Sequence, residues 1–445
     1  MTKTLILNAT YVNEKKIQKN DIYIENQKIS RIDSDLRHLE ADRIFDASGL
    51  VILPGLIDDQ VHFREPGLTA KGDIRSESAA AVAGGITSYM EMPNVNPPTT
   101  NNDALENKFL IGKEKSFANY SFYIGATNDN LDELIAVDNK KVCGIKIFMG
   151  ASTGNLLVDN EKSLEQIFKE TETIKVTHCE DNKTIVENFK RAIEKYGENI
   201  PASAHPEIRD AEACFKSSSF AIELAKTYNS KLHVLHLTTE KEMELFSSGS
   251  IDKKNITAEV CIHHLWFNKL DYKKLGNLIK CNPAIKNESD RRALIQALNS
   301  DKIDIIATDH APHTWQEKDQ KYDKAPAGIP LAQHCLLALL ELQKKDEISL
   351  ETLVEKACHN PARRFEISKR GFIKEGYYAD LVFVDLNGVT TVTKDSILYK
   401  CKWSPFEGEV FNSRIARTLV NGEEVFDGNK VLWIPNNAKR LIFDR

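Results

Sequence analysis

Short apolar runs that alternate with longer helical patterns are the feature that most constrains the fold of this chain. Between Pro54 and about Arg364, runs rich in β-branched residues are separated by segments with helical periodicity. This rhythm is typical of βαβ units, in which helical crossovers join parallel strands. The eight runs are Gly55–Phe63, Ser88–Pro93, Tyr120–Ala126, Cys143–Met149, Lys175–Cys179, Leu232–Leu237, Thr257–His263 and Ile303–Thr308.

Eight such strands joined by seven crossovers predict a (β/α)8 TIM-type barrel over residues 54–369. The apolar segment Leu331–Leu342 supplies the helix after the last strand. A doubly wound open sheet is the alternative that the same rhythm leaves open.

The two ends of the chain have a different pattern. Residues 1–53 and 370–445 contain short alternating strands with turn signals, such as Asn421-Gly422. We expect these two segments to pair into one small β-sandwich domain beside the barrel. At 445 residues the chain is long enough for both units.

Composition narrows the function classes. There are 59 Lys and Arg residues against 65 Asp and Glu, giving a net charge of −6 spread along the chain, so binding to nucleic acid is not expected. The start of the chain has only a short apolar run, which predicts neither a signal peptide nor a membrane span. The eight cysteines occur singly and are interpreted as reduced thiols of a cytoplasmic protein.

Polar residues at the ends of the predicted strands indicate a metal site. A single histidine at a strand end is more often structural than a ligand, but in a barrel the carboxyl ends of all strands meet at one mouth. Imidazole and carboxylate groups there suit Zn²⁺ or a similar ion. The candidate ligands are His62, His178, His236 and Asp309, with Lys146 inside the fourth strand.

Lys146 lies in the middle of the otherwise apolar stretch Gly144-Ile-Lys-Ile-Phe148. Burying an ammonium group costs several kcal/mol, by an order-of-magnitude estimate, unless it is paired, neutralised or modified. A neutral amine beside a metal can add CO2 and become an anionic carbamate. Carboxylated Lys146 would then supply a bridging oxygen ligand.

The ordered motifs resemble the amidohydrolase superfamily and, within it, the dihydroorotases that combine a long barrel with a β domain. The resemblance is carried by Asp58-x-x-x-His62-x-Arg64-x-Pro-Gly, the Lys146 strand, His178-Cys-Glu, His236-Leu-Thr-Thr, Thr-Asp309-His-Ala-Pro-His and Ser404-Pro-Phe-Glu-Gly. It covers nearly the whole chain. It implies a reversible, zinc-dependent hydrolysis of the cyclic amide of dihydroorotate to N-carbamoyl-aspartate, a step of pyrimidine synthesis.

The resemblance also implies roles for individual residues. His62 and Asp309 would bind one Zn²⁺, His178 and His236 the other, and carboxylated Lys146 would bridge them, with Asp309 also acting as general base. The residues that match substrate-binding positions are Arg64, Asn94, Asn282, His313, Ala327 and Gly328. Arg64, Asn94 and His313 would hold the substrate carboxylate.

Gln60 departs from the family pattern, which has a histidine at this position. An amide is a poorer zinc ligand than an imidazole, so Gln60 would ligate weakly or leave the position to water. The sequence therefore predicts one tightly bound Zn²⁺ and a second that is weak or absent.

Two alternatives remain open at this stage. One is another cyclic amidohydrolase, an allantoinase or dihydropyrimidinase, whose substrates lack the carboxylate that Arg64 would bind. The other is a catalytically silent subunit, which the change at Gln60 makes conceivable. A homodimer is a further expectation, as is a cover over the site formed by residues 316–324.

Histidines outside the candidate site are expected to have no direct role. His263 and His264 follow the seventh strand and are interpreted as structural. The others have no evident converging partners in the sequence: His205, His233, His334 and His359.

Overall fold

The N-terminal segment forms the first half of a β sheet. A computed structural model describes residues 2–150 and 154–445 of the chain. The N-terminal strands are β1 (Lys3–Asn13), β2 (Lys16–Glu25), β3 (Lys28–Asp33), β4 (Arg43–Asp46) and β5 (Val51–Pro54). Strand β1 pairs antiparallel with β2 and parallel with β4 and β5. Alternating side chains such as Ile6, Ile22 and Ile52 form the core of this domain.

The eight predicted runs form the barrel, with the third run divided into two short strands around Tyr123. The barrel strands are β6 (Leu56–Val61), β7 (Ile86–Glu91), β8 (Asn119–Phe122), β9 (Ile124–Gly125), β10 (Ile145–Phe148), β11 (Lys175–His178), β12 (Leu232–Val234), β13 (Ile256–Cys261) and β14 (Ile305–Ala307).

The order of the strands confirms a closed barrel. Strands β6, β7 and β8 are parallel neighbours, and β9 to β14 follow one another in the same way. The two ends of the sheet meet where Val61 bridges His310 in parallel, and the His62 N–H donates to the His310 carbonyl at 2.7 Å. The open doubly wound sheet is therefore wrong.

Strand alternation explains how an apolar run presents a lysine to the barrel mouth. In β10, Ile145 and Ile147 are fully buried in the main hydrophobic core. Lys146 and Phe148 point to the opposite face and line the mouth of the barrel.

Helices connect the barrel strands, and most of the longer ones begin at an Asp or Asn cap. Asp73, Asn101, Asn160, Asp181 and Asp210 each accept a hydrogen bond from a backbone N–H of the first turn. The helices are α1 (Ile74–Ala83), α2 (Asn102–Lys115), α3 (Leu131–Ile135), α4 (Glu161–Glu170), α5 (Asn182–Tyr196), α6 (His205–Ile208), α7 (Ala211–Thr227), α8 (Ile262–Trp266), α9 (Tyr272–Leu275), α10 (Glu288–Asn299), α11 (Trp315–Lys318), α12 (Cys335–Lys344), α13 (Leu350–Val354) and α14 (Asn360–Arg364).

Short 3-10 turns and one π-helical turn, Glu355–His359, complete the helical segments. The 3-10 turns are Gly154–Leu156, Ala202–Ala204, Lys241–Leu245, Ile251–Lys253, Lys269–Asp271, Gly276–Ile279, Ala332–His334 and Lys394–Ser396. One sequence expectation is corrected here. The seventh run ends as a strand at Cys261, so His263 lies in α8 and not in the strand.

The C-terminal segment completes the β domain. It contributes β15 (Leu381–Asp385), β16 (Thr390–Thr391), β17 (Val410–Phe411), β18 (Arg414–Val420) and β19 (Glu423–Phe426). Strand β15 pairs antiparallel with β5, which joins both ends of the chain in one sheet, as predicted. Across the described part of the chain, no helix has the length and apolar character needed to cross a bilayer.

Candidate active site

The candidate site is a cavity at the carboxyl ends of the barrel strands, with an open volume of about 490 Å³. Every residue that the sequence analysis named for the site lines this cavity except His313. The lining residues are Gln60, His62, Arg64, Asn94, Lys146, Phe148, His178, His236, Asn282, Asp309, Ala311, Ala327 and Gly328. The fold therefore brings together groups that lie up to 268 residues apart in the chain, from Gln60 to Gly328.

Three of these residues have backbone conformations that side-chain-bearing residues seldom adopt. The φ angles of Arg64, His236 and Asp309 are 72°, 39° and 48°. Such left-handed conformations cost free energy and persist where the surrounding structure enforces them, often at functional sites. Each occurs just after a barrel strand, where it redirects the side chain toward the cavity.

His178 and His236 form the first half of the candidate metal centre. His178 Nδ1 lies 2.9 Å from His236 Nε2, and both side chains are buried. The other ring nitrogen of His178, Nε2, lies 2.9 Å from Glu180 Oε2 and donates to it, because a carboxylate can only accept. The Nδ1 lone pair is thereby directed at the neighbouring imidazole, and burial lowers the pKa of both histidines toward the neutral form that binds metals.

Glu180 is itself fixed by a charge. Arg209 Nη1 donates to the same carboxylate oxygen that accepts from His178. Burial would raise the pKa of Glu180, but Arg209 and His178 outweigh it and lower the pKa to about 2. A carboxylate that accepts from one ring nitrogen of a histidine is a common arrangement at zinc sites. Sequence analysis gave Glu180 no role, although its position two residues after His178 places it on the same face of an extended segment.

His62 and Asp309 form the second half. His62 Nδ1 lies 2.7 Å from Asn94 Oδ1 and donates to this amide oxygen. His62 Nε2 then faces Asp309 Oδ1 at a distance of 3.0 Å. Burial raises the pKa of Asp309, but the neighbouring His62 outweighs it, so the pKa lies below its ordinary value and the group is a carboxylate.

Gln60 contacts this second half through its amide nitrogen. Its Nε2 lies 3.1 Å from Asp309 Oδ1, and the partner must be the NH2 group because the carboxylate carries no proton. The amide oxygen accordingly faces the Cys261 thiol, at 3.7 Å. In this orientation Gln60 does not present its oxygen to the His62–Asp309 pair.

Lys146 lines the same cavity as both halves, and burial together with the charge of Lys146 lowers the pKa of His62 and of His178. Its side chain is 1% exposed, and Nζ lies 4.6 Å from the centre of the Phe148 ring. Within residues 2–150 and 154–445, no hydrogen bond or ion pair to Nζ is found. Burial lowers the pKa of Lys146 to about 8, which leaves a fraction of the amine neutral near physiological pH.

Arg64 and His313 form a basic corner of the site. Arg64 Nε donates to the Pro312 carbonyl at 3.1 Å, and Arg64 Nη2 lies 3.1 Å from His313 Nε2. Lys71 Nζ donates to His313 Nδ1 at 3.2 Å, so the ring proton is on Nε2 and points to the Ala327 carbonyl at 3.0 Å. His313 thus cannot accept from Arg64, and the guanidinium retains donors for a ligand.

Two buried lysines hold the loop after β14 in place, and none of residues 316–324, the expected cover, lines the cavity. Lys318 Nζ donates to the carbonyls of Lys280, Pro326 and Gly328 at 2.9–3.1 Å. Lys280 Nζ donates to two further loop carbonyls at 2.6 Å. Gly328 has a φ of 144°, and a Cβ there would lie 2.5 Å from the Ala311 carbonyl oxygen, so only glycine fits.

The remaining histidines differ in their surroundings. His263 and His264 are buried outside the cavity lining, with ring centres 3.9 Å apart. His205 bridges Tyr322 and the Cys281 carbonyl, both at 2.7 Å. His233 does converge with two carboxylates inside the barrel, contrary to the expectation from sequence.

The donor set fits a metal ion in both halves. Ligands about 2.0–2.1 Å from a tetrahedral zinc ion lie roughly 3.3 Å from one another. The facing atoms in the two halves are 2.9 and 3.0 Å apart, and His178 and His62 each donate from the other ring nitrogen to an oxygen acceptor. The geometry of His178 with His236, and of His62 with Asp309, is thus compatible with an ion in each half, and Lys146 lines the same cavity.

Comparison with known proteins decides the family. The sequence pattern described as "Amidohydrolase family" matches residues 51–425. The chain belongs to the amidohydrolase family. Relatives of this amidohydrolase include the dihydroorotase of Pyrococcus furiosus, 34% identical with 98% of this chain and 95% of that protein covered. The dihydroorotase of Methanosarcina acetivorans is 32% identical, with 98% and 93% covered.

Solved structures agree with this assignment. An L-hydantoinase (dihydropyrimidinase) from Arthrobacter aurescens superposes with a TM-score of 0.94 at 26% identity, with 99% of this chain and 100% of that chain covered. The dihydropyrimidinase from Brevibacillus agri NCHU1002 has a TM-score of 0.90 at 23% identity, and both chains are fully covered. The second likeness shows the fold of this amidohydrolase alone.

Proposed function

We propose that this amidohydrolase is a zinc-dependent dihydroorotase. It hydrolyses the cyclic amide of dihydroorotate reversibly to N-carbamoyl-aspartate and acts in pyrimidine synthesis. Relatives of that name match nearly the full length of the chain at 30–34% identity.

The observation that carries the proposal is the position of Arg64 beside the candidate metal centre. Its guanidinium lines the same cavity as His62 and Asp309 and has donors that His313 cannot use. A planar guanidinium binds a carboxylate through two parallel hydrogen bonds. Dihydroorotate carries such a carboxylate, whereas dihydrouracil and allantoin do not.

Asp309 is the group that moves the proton. Bound in this site, Zn²⁺ supplies Lewis-acid chemistry that polarises the amide carbonyl and acidifies water. Asp309 is a carboxylate at the edge of the cavity and accepts the proton of the attacking water. It returns that proton to the departing ring nitrogen, and ring closure reverses the two transfers.

Lys146, the His178–His236 pair and the His62–Asp309 pair would hold the ions. His178 and His236 would bind one ion, His62 and Asp309 the other, and carboxylated Lys146 would be the ligand common to both. The lowered pKa of the lysine supports this role, because CO2 adds only to the neutral amine. Asn94, Asn282 and the backbone of Ala327 and Gly328 enclose the substrate.

A hydantoinase or dihydropyrimidinase is the second candidate. The superposition on the Arthrobacter enzyme favours it, because the agreement extends over both chains. Arg64 separates the two candidates, because a substrate ring without a carboxylate has no charged group for the guanidinium to bind.

The test is Arg64→Ala assayed on dihydroorotate and on dihydrouracil. A hydrogen bond to a charged group contributes roughly 1.5–3 kcal/mol, so KM for dihydroorotate should rise about 10–150-fold. Arg75→Ala, at an exposed arginine stacked on Trp433, is the matched control and should leave KM unchanged. Unmodified protein that turns over dihydrouracil better than dihydroorotate would establish the second candidate instead.

The cellular setting and assembly belong to the same proposal. All eight cysteines are free and seven are buried, which supports a reducing, cytoplasmic location. A homodimer remains a prediction, and the molar mass in solution measured by light scattering checks it.

A further inference from the structure

A second group of possible metal ligands lies inside the barrel. Asp59 of β6, His233 of β12 and Glu259 of β13 are each fully buried. His233 Nε2 lies 3.2 Å from Asp59 Oδ2 and 3.5 Å from Glu259 Oε2. We call these three residues the barrel triad. None of them lines the catalytic cavity.

The facing atoms of the barrel triad lack hydrogen bonds. Among the residues that the structure describes, none forms a hydrogen bond of normal geometry with Asp59 Oδ1 or Oδ2, Glu259 Oε2 or His233 Nε2. Buried polar atoms are almost always hydrogen-bonded, and a buried carboxylate without a hydrogen bond is strongly destabilising. Such a group indicates a bound species that satisfies these atoms.

The tautomer of His233 leaves a lone pair directed at the two carboxylates. The Thr257 hydroxyl donates to the Leu232 carbonyl at 3.4 Å. It therefore accepts from His233 Nδ1, at 2.8 Å, which places the ring proton on that nitrogen. In the neutral ring, Nε2 therefore directs its lone pair at Asp59 and Glu259, as a metal-binding imidazole does. Burial lowers the pKa of His233, but the two carboxylates outweigh it and raise the pKa, so a bound ion would have to displace a proton from Nε2.

Charge balance favours a divalent ion at this place. With a neutral imidazole and both carboxyl groups ionised, the barrel triad would carry two negative charges in a fully buried position. Burial and the neighbouring Asp59 raise the pKa of Glu259 to about 7, which shows how unfavourable that charge is without a counter-ion. One proton on His233 would neutralise only one of the two charges, whereas a divalent ion neutralises both. The same ion would also serve four unpaired atoms at once.

We propose that Asp59, His233 and Glu259 bind a divalent cation of the zinc class inside the barrel, separate from the catalytic centre. The separations of 3.2 and 3.5 Å bracket the roughly 3.3 Å expected between ligands of a tetrahedral zinc ion. Two carboxylates and an imidazole suit Zn²⁺ or Mn²⁺.

The ion would stabilise the strands that carry the catalytic groups. Glu259 Oε1 accepts the backbone N–H of His236 at 3.0 Å. Asp59 directly precedes Gln60, and its carbonyl accepts from the Tyr123 hydroxyl at 2.9 Å. Because the ion would bind the folded chain and not the unfolded one, it would raise Tm.

The experiment combines crystallography with metal analysis. Crystals of the unmodified protein grown with Zn²⁺ should show an anomalous peak at the zinc edge among the three side chains, apart from any peak at His178 and His236. By elemental analysis after dialysis, Asp59→Asn and Glu259→Gln should each hold one zinc equivalent fewer than the unmodified protein. A strong chelator should lower the Tm of the unmodified protein more than that of either variant.

The matched control is Glu242→Gln, at a buried carboxylate whose partners are the Ser218 and Thr239 hydroxyls. This control should keep the full zinc content. A crystal without an anomalous peak in the barrel triad would overturn the proposal, whether or not the variants fold. An unchanged zinc content in folded Asp59→Asn would also overturn the proposal. It would mean that bound protons, and not a metal ion, balance the charge of the barrel triad.

Discussion

The two halves of the candidate metal centre are built from different supporting groups. In the His178–His236 half, the orienting group is the Glu180 carboxylate, which Arg209 holds ionised. In the His62–Asp309 half, the orienting group is the neutral Asn94 amide.

The halves also differ in what surrounds the ligand atoms. Gln60 donates a hydrogen bond to Asp309 and so competes with a metal for that oxygen. In the first half, each facing atom is an imidazole nitrogen with a lowered pKa. A charged orienting partner raises the basicity of its histidine more than a neutral amide does. The comparison predicts that the two halves differ in metal affinity because of groups that would not touch the ion.

Removing the proposed bridging ligand should empty both halves of the metal centre. Lys146→Ala removes the ligand that both halves share, so both ions should be lost on dialysis. Turnover should fall by at least ~10⁴-fold, the upper end for loss of one acid–base group. Elemental analysis and a dihydroorotate absorbance assay measure the two effects.

Lys175 supplies the matched control for Lys146. It lies on the adjacent strand, is equally buried and donates to the Thr171 carbonyl. Lys175→Met should lower Tm and leave the metal content unchanged. Retention of both ions in Lys146→Ala would exclude the bridging role.

Asp309→Asn should impair metal binding in the His62–Asp309 half and should impair proton transfer. The amide keeps an oxygen that accepts from the Gln60 NH2 group but is far too weak a base to take the proton of water, so turnover should fall about 10²–10⁴-fold. The ion of the His178–His236 half should remain bound. An Asp309→Asn protein with more than about a tenth of the normal rate would show that another group is the base.

Glu180→Gln should bring the two halves closer in affinity. The change replaces the charged partner of His178 by a neutral amide and should weaken the tight ion about 10–100-fold, as measured by chelator competition. Glu242→Gln, another isosteric change at a buried carboxylate, is the control. If Glu180→Gln and Glu242→Gln bind the tight ion with equal affinity, Glu180 does not set that affinity.

Gln60→His should produce the smallest effect, and it should act on the His62–Asp309 half. An imidazole restores the missing zinc ligand and removes the hydrogen bond that Asp309 now accepts. Occupancy of the weaker ion after dialysis should rise, while the tighter ion stays unchanged. Two equally tight ions in the unmodified protein would contradict the asymmetry before any substitution is made.

Sequence patterns were sufficient where the chemistry is local or repeats along the chain. Alternation of apolar runs with helical segments identified all eight barrel strands. Lys146 was recognisable because a charged residue inside an apolar strand is costly without a function. The cavity residues were recognisable because they follow strands whose ends meet in a barrel.

Other features depend on contacts between distant segments. Glu180 gains its role from Arg209, 29 residues later. His233 meets Asp59 only because the barrel closes, and nothing near it in the chain signals a partner. The orientation of the Gln60 amide follows from Asp309, 249 residues away.

By itself, the sequence determined the strand rhythm, the donor types at the strand ends and the change at Gln60, because these follow from periodicity and from the chemistry of single side chains. Only the tertiary structure decided which nitrogen of each histidine is directed at its partner, which carboxylates are paired, and that Asp59, His233 and Glu259 meet. Those properties depend on distances of about 3 Å between groups from different strands, which barrel closure sets and local sequence does not encode.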